Sequence, residues 1–357
     1  MVTGRHAELY SPAIGSSGSV VAYGHWGRPV LAFPAEGGSA WDLEHQGMVG
    51  AVADLIEGGR VKLYAVDAFD AESWSNQGLP LEERARNHER YESWIVEQVV
   101  PHIQADSHAH DIATLGVSLG AYHAVNFALK RADLFPLALA FSGNYDPSSW
   151  HGWGERGEAT YFNNPLDYLE HMGGEHLDWL RGRISLLLVC GQGQWEDTTG
   201  SLDSTKHLAH VLGEKGIRHE LDLWGHDVPH DWPSWRALAR RSNGSIVIRS
   251  VVRRCLVPDA SAIGPMRETR VSKAVGQSSS VPSSMPIRCV VASISRTVAD
   301  DGRAVLARRA SRAGRRAPTG RARAGSPSPT AGRRGAWSSR ARPWCPPTGP
   351  VRRRAGR

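Results

Sequence analysis

The sequence predicts an α/β protein with a central, mostly parallel β-sheet and helices on both faces. Two observations carry this. Short apolar runs alternate with helix-patterned segments between residues 20 and 225, the order that builds parallel strands joined by crossover helices. Several of those runs also end on loops rich in glycine or polar residues, so the loops should gather at one edge of the sheet.

The elements follow in order. VVAYG (20–24) and VLAFP (30–34) are apolar runs separated by the Gly/Pro-containing HWGRP. Their closeness predicts a hairpin, and with it a mixed sheet. VKLYAVD (61–67) is a further strand. A long amphipathic helix is predicted over 81–103, because Tyr91, Trp94, Ile95, Val99 and Ile103 recur at helical spacing and Pro101 falls near its end. DIATLGV (111–117) is a strand, followed by a helix over about 119–129. LALAFSG (137–143) and ISLLLVC (184–190) are strands, with the segment LDYLEHM (166–172) between them. SLDSTKHLAHVLGEKG (201–216) is a helix closed by Gly216, and RHELDLWG (218–225) is the last strand. The helix after residue 230 reads short and ends near Arg241.

Beyond that point the texture changes. Residues 242–357 hold 24 basic and 4 acidic residues, a balance of +20; the 18 basic and 32 acidic residues before them give −14. The overall +6 is thus the sum of an acidic body and a basic tail. The chain therefore divides into a body, 1–241, and a tail, 242–357, whose later part is almost entirely Arg, Ala, Gly, Pro and Ser. Such a mixture buries too little apolar surface to offset backbone entropy of ~1–2 kcal/mol per residue, so disorder is expected. The tail reads as an unselected extension; nucleic-acid binding is the lesser reading. No run of about 18 apolar residues predicts a membrane span, and the first residues lack an apolar signal-type segment, so a cytoplasmic body is expected. Cys190 reads as a buried strand cysteine. Cys255, Cys289 and Cys345 lie in the tail, and no metal site is expected.

Gly116-Val117-Ser118-Leu119-Gly120 is a GxSxG motif. Its context is what gives it weight: it follows the apolar strand TLGV and precedes the helix AYHAVNFALK. A nucleophile elbow of the α/β-hydrolase fold needs that placement. The sharp turn leaves room only for small residues at 116 and 120. It also aims the helix N-terminus at a developing oxyanion. Ser118 is therefore the candidate nucleophile.

A serine nucleophile needs a base, and the base an orienting acid, in the chain order Ser, acid, His. After ISLLLVC come Glu196 and Asp197. After RHELDLWG come His226 and His230. Each follows a strand, and so lies at the same sheet edge as Ser118. From position alone both pairs stay open. The oxyanion donors should be the backbone N–H of Leu119 and one from the loop AEGG after VLAFP, where Gly37 and Gly38 permit close approach.

Four segments then resemble a known family: VLAFPAEGGSAWDLEHQGM (30–48), HERYESWIVEQVVPHI (88–103), LGVSLGAYHA (115–124) and HDWPSWR (230–236). They are similar to the esterase family of the α/β-hydrolase superfamily that includes S-formylglutathione hydrolase and the antigen 85 mycolyltransferases, over about residues 5–240. The family's H-x-W-x-x-W pattern falls on His230, Trp232 and Trp235, so the resemblance implies His230 as base, with His226 the alternate. It implies Glu196 as acid, with Asp197 the alternate, and Ala35 as loop donor, with Glu36 the alternate. The implied activity is hydrolysis of a small-molecule ester or thioester through an acyl-enzyme, without a cofactor. Acyl transfer by the same triad and a non-catalytic binding protein on this fold are the alternatives. Too few residues follow LALAFSG to form a large lid, so a small or open pocket is expected. Trp232 and Trp235 read as packing residues.

Overall fold

The computed structural model describes residues 2–241. The expected tail, 242–357, lies outside the described residues. Among the described residues eight strands form one sheet: β1 (Gly4–Ser11), β2 (Ser16–Tyr23), β3 (Arg28–Phe33), β4 (Val61–Val66), β5 (Ala113–Val117), β6 (Leu137–Phe141), β7 (Ser185–Cys190) and β8 (His219–Leu223). Their spatial order is β1-β2-β4-β3-β5-β6-β7-β8. From β4 to β8 in that order every pairing is parallel, whereas β2 is antiparallel to both its neighbours, β1 and β4. The sheet is the mixed, mostly parallel one expected.

The expected hairpin between residues 20–24 and 30–34 does not form. β4 lies between those strands. Every residue of β4 is buried, and such a strand must sit inside a sheet. The link Gly24–Gly27 steps across its start: Arg28 N–H donates to Arg60 O at 3.0 Å. Gly24 and Gly27 both take positive φ (99° and 112°), and a Cβ on Gly27 would meet the Arg60 carbonyl carbon at 2.5 Å. β2 pairs instead with β1, a half-polar edge strand whose pattern sequence reading missed.

The helices are α1 (Asp42–His45), α2 (Met48–Ala51), α3 (Ala53–Glu57), α4 (Leu81–Trp94), α5 (Val100–Ser107), α6 (Leu119–Lys130), α7 (Glu158–Phe162), α8 (Pro165–His171), α9 (Gly174–Arg183), α10 (Ser201–Glu214) and α11 (Trp232–Arg241). A π-helical stretch, Ile95–Val99, joins α4 to α5, so the predicted helix runs on to Ser107 rather than stopping near Ile103. Pro101 has no N–H, and its ring would press on the carbonyl four residues back. The wider π turn just before it relieves that conflict without ending the helix.

Alternate residues of the inner strands face two separate cores. Leu31, Phe33, Tyr64, Val66, Ala138 and Leu188 pack beneath the α4–α6 side. Val30, Ala32, Leu63, Val117, Phe141 and Val189 pack with α1–α3 and α11 on the other. Among the described residues no helix is long and apolar enough to cross a membrane. Because β3 and β5–β8 run the same way, the loops that follow them share one edge of the sheet, and the candidate residues lie in those loops.

Candidate active site

Ser118 occupies the turn between β5 and α6. Its φ of 54° is a left-handed conformation that a non-glycine residue adopts at a cost of about 1–3 kcal/mol. The neighbouring glycines make the turn feasible. A Cβ on Gly116 would lie 1.9 Å from the Gly120 carbonyl oxygen, and one on Gly120 would lie 2.2 Å from that of Pro34. Both obstacles are backbone, so neither position accepts a side chain without moving the elbow. Packing Gly120 against Phe33 and Pro34 also draws the start of α6 up to the loop after β3.

The loops after β7 and β8 are joined by their own backbones. Gln192 N–H donates to Gly225 O (3.2 Å), Gly193 N–H to Val228 O (3.0 Å) and His230 N–H to Gln194 O (2.9 Å). Gly191 and Gly193 allow this approach, since a Cβ on either would collide with Val228 backbone atoms at 2.1 and 2.7 Å. The result is a continuous hydrogen-bonded line. His230 Nε2 lies 2.9 Å from Ser118 Oγ, and His230 Nδ1 lies 3.0 Å from Glu196 Oε2. Glu196 is fully buried.

The structure therefore brings together Ser118, His230 and Glu196 and leaves both alternates outside. His226 is exposed, with Nδ1 3.0 Å from Gln192 O. Asp197 is exposed and lines the mouth of the cleft above Ser118. Leu119 begins α6, where the first N–H groups have no partner within the helix. Ala35 starts a tight turn, its carbonyl accepting from Gly38 N–H at 3.0 Å. Glu36 is exposed at the cleft wall, and its carboxylate accepts from the Ser75 hydroxyl. The cleft has a volume of about 520 Å³ and is walled by Trp74, Arg84, Asn144 and Trp150 as well as Ser118 and Leu119. The loop after β6 supplies part of this wall through Asn144, Ser149 and Trp150.

Four further contacts were not apparent from the sequence. Ser142, directly after β6, donates its hydroxyl to Glu196 Oε1 and accepts from the Trp235 indole N–H at 3.2 Å. Trp235 is thus more than packing: its ring also meets His230 edge-on, with centroids 5.0 Å apart at 85°. Cys190 donates its thiol to Glu196 Oε2 at 3.4 Å. Burial, and then the adjacent Glu196 carboxylate, push the Cys190 thiol well above its ordinary range, so it stays protonated and available as that donor. The signal for Ser142 was positional. β6 lies between β5 and β7, so the first residue beyond it lies between Ser118 and Glu196.

Known proteins resemble this chain. Among solved structures it is similar to a ferulic acid esterase (16% identity, 71% of this chain and 98% of that one, TM-score 0.54). It is similar to MPT51 (FbpC1) of Mycobacterium tuberculosis (14%, 68% and 97%, 0.52). It is likewise similar to an S-formylglutathione hydrolase from Agrobacterium tumefaciens (15%, 68% and 93%, 0.51). At these identities the likeness is one of fold, the α/β-hydrolase fold. No curated protein sequence matches the chain. A family model described as "Putative esterase" matches residues 40–245, more than half of the chain. The chain belongs to that esterase family and is a carboxylic ester hydrolase.

Proposed function

We propose that the protein hydrolyses small carboxylic esters or thioesters through an acyl-enzyme on Ser118. The observation that carries this reading is the unbroken contact line Ser118 Oγ–His230–Glu196, with spacings of 2.9 and 3.0 Å. The Ser118 oxygen attacks the substrate carbonyl carbon while its proton passes to His230 Nε2. Glu196 accepts from Nδ1–H, which fixes the tautomer that leaves Nε2 free as a base, and it stabilises the imidazolium that forms. The carbonyl oxygen becomes an oxyanion, received by the backbone N–H groups of Leu119 and Ala35. Collapse breaks the bond to the alcohol or thiol, which leaves with the proton from His230. Water then repeats the sequence: His230 takes its proton, the oxygen attacks the acyl carbon, and Ser118 regains its hydrogen as the acid departs. The residues need no cofactor for these steps.

The cleft supports short or polar substrates, because two indole rings, a guanidinium and an amide share about 520 Å³. The test is turnover of 4-nitrophenyl acetate and butyrate by the full chain and by Ser118→Ala, with covalent labelling by a fluorophosphonate read by mass spectrometry. Ser118→Ala is expected to lower kcat by roughly 10⁴-fold or more and to abolish labelling. Folded Ser118→Ala with undiminished turnover would remove the reading.

A further inference from the structure

A second buried polar line runs beneath the site. Asp70, in the loop after β4, is 2% exposed. Its Oδ2 accepts from Gly37 N–H at 3.0 Å, and its Oδ1 is 3.0 Å from His123 Nε2. A carboxylate only accepts, so the ring nitrogen facing it carries the hydrogen. Gly37 belongs to the turn that starts at Ala35, and His123 lies four residues into α6 from Leu119, on the same helical face. One carboxylate thus grips the two elements that carry the proposed oxyanion donors.

Asp70 is itself held. Its carbonyl accepts from Ser73 N–H at 3.0 Å and Ser75 N–H at 2.8 Å. The rest of the β3 loop is tied to the same segment: Ala68 N–H donates to Gly38 O at 2.9 Å, and Asp67 accepts from Ala40 N–H at 2.8 Å. Only the Asp70 contact continues into α6. His123 is 1% exposed among the rings of Phe33, Tyr91, Tyr122 and His88, with the His88 ring stacked 5.1 Å away. Its Nδ1 has no hydrogen-bond partner among the described residues, so its one polar contact is the Nε2–H aimed at Asp70. A buried carboxylate is costly unless its acceptors are met. Here they are met by one donor from each half of the oxyanion site.

We propose that Asp70 and His123 are positioning residues that fix the distance between the two oxyanion donors, Asp70 by holding the Ala35–Gly38 turn and His123 by tying Asp70 to α6. This rests on the reading of Ser118 as nucleophile. The pair touches no reacting atom. A displaced donor weakens the transition state more than substrate binding, and misplacement by about 1 Å can cost on the order of 100-fold.

The test uses the full chain and two readouts: kcat and KM on 4-nitrophenyl acetate, and the inhibition constant of phenylboronic acid. The boronate forms a tetrahedral adduct on serine, so its affinity reports the oxyanion donors and does not change with the fraction of protein folded. His123→Leu is expected to lower kcat about 10- to 100-fold with KM within about twofold, and to raise the boronate constant by a similar factor. His123→Gln, whose amide N–H can still reach Asp70, is expected to stay within about threefold of the parent. Asp70→Asn keeps the shape but offers one oxygen to two N–H donors, and is expected to raise the boronate constant severalfold. It serves as the second variant if His123→Leu does not fold. An unchanged boronate constant in folded His123→Leu or Asp70→Asn overturns the proposal. Turnover that survives Ser118→Ala would instead overturn the parent reading.

Discussion

At the scale of single residues, the site is a set of hydrogen bonds whose directions are fixed by chemistry. The Trp235 indole can only donate, so the Ser142 hydroxyl is left to donate to Glu196. Ser142→Ala removes a donor from a fully buried carboxylate and an acceptor from the indole. We expect it to cost about 1–3 kcal/mol of stability and to lower kcat by roughly tenfold, read by thermal melting and steady-state kinetics. Cys190 offers a second prediction. Burial and then Glu196 raise its thiol pKa, so iodoacetamide should leave the Cys190 peptide unmodified in native protein and alkylate it after denaturation, as peptide mass spectrometry would show. Ser118, His230 and Glu196 were legible in the sequence because a motif or a strand end marks each. His230 and Glu196 needed the family resemblance to be preferred over His226 and Asp197. Ser142, Asp70 and His123 were not legible: nothing local distinguishes them, and their meaning comes from strand order and from contacts spanning 53 and 54 positions.

At the scale of elements, a glycine and a half-buried carboxylate do the positioning. Gly120→Ala would drive a methyl group into the Phe33 and Pro34 carbonyl oxygens, at 2.5 and 2.2 Å. The elbow must shift to accept it, and activity should fall by about 100-fold or more even in folded protein. Glu82, at the start of α4, accepts from the N–H groups of Gly157, Ala159 and Thr160 and from the Thr160 hydroxyl. It closes the N-terminus of α7 from a distance. Burial alone would raise its pKa, but these four donors outweigh it and hold the carboxyl below the ordinary glutamate range. A folded-state pKa below the unfolded one stabilises fully above the unfolded value, ~4.3, and that contribution is lost as pH falls through the folded value. Glu82→Gln should therefore lower the melting temperature at pH 7 and narrow its gap from the parent as pH drops below ~4. The strands and long helices were readable because their periodicity is strong. The hairpin expectation failed because proximity in sequence did not reveal that β4, buried throughout, would take the central place. The short helices α1–α3 and the polar strand β1 carry too little periodic signal to be found.

At the scale of the whole molecule, the division of charge suggests that the body suffices for catalysis. The chain cut after Arg241 is expected to keep the kcat and KM of the full chain on 4-nitrophenyl acetate. Every residue of the proposed mechanism lies before that point, and a tenfold loss on truncation would show that the basic segment supports the site. The arrangement of the sheet has a further consequence. The histidine hangs on the loop after β8, and β8 is, among the described residues, a border strand with one neighbour and no fully buried residue, while the serine rises from β5 in the interior. In rising denaturant the border should fray while the interior holds, because opening free energies are lowest at such margins. Turnover would then fade at urea concentrations where ellipticity is still native, and dilution should restore it at once, without refolding of the interior. The enzyme would work as a gauge of its own rim.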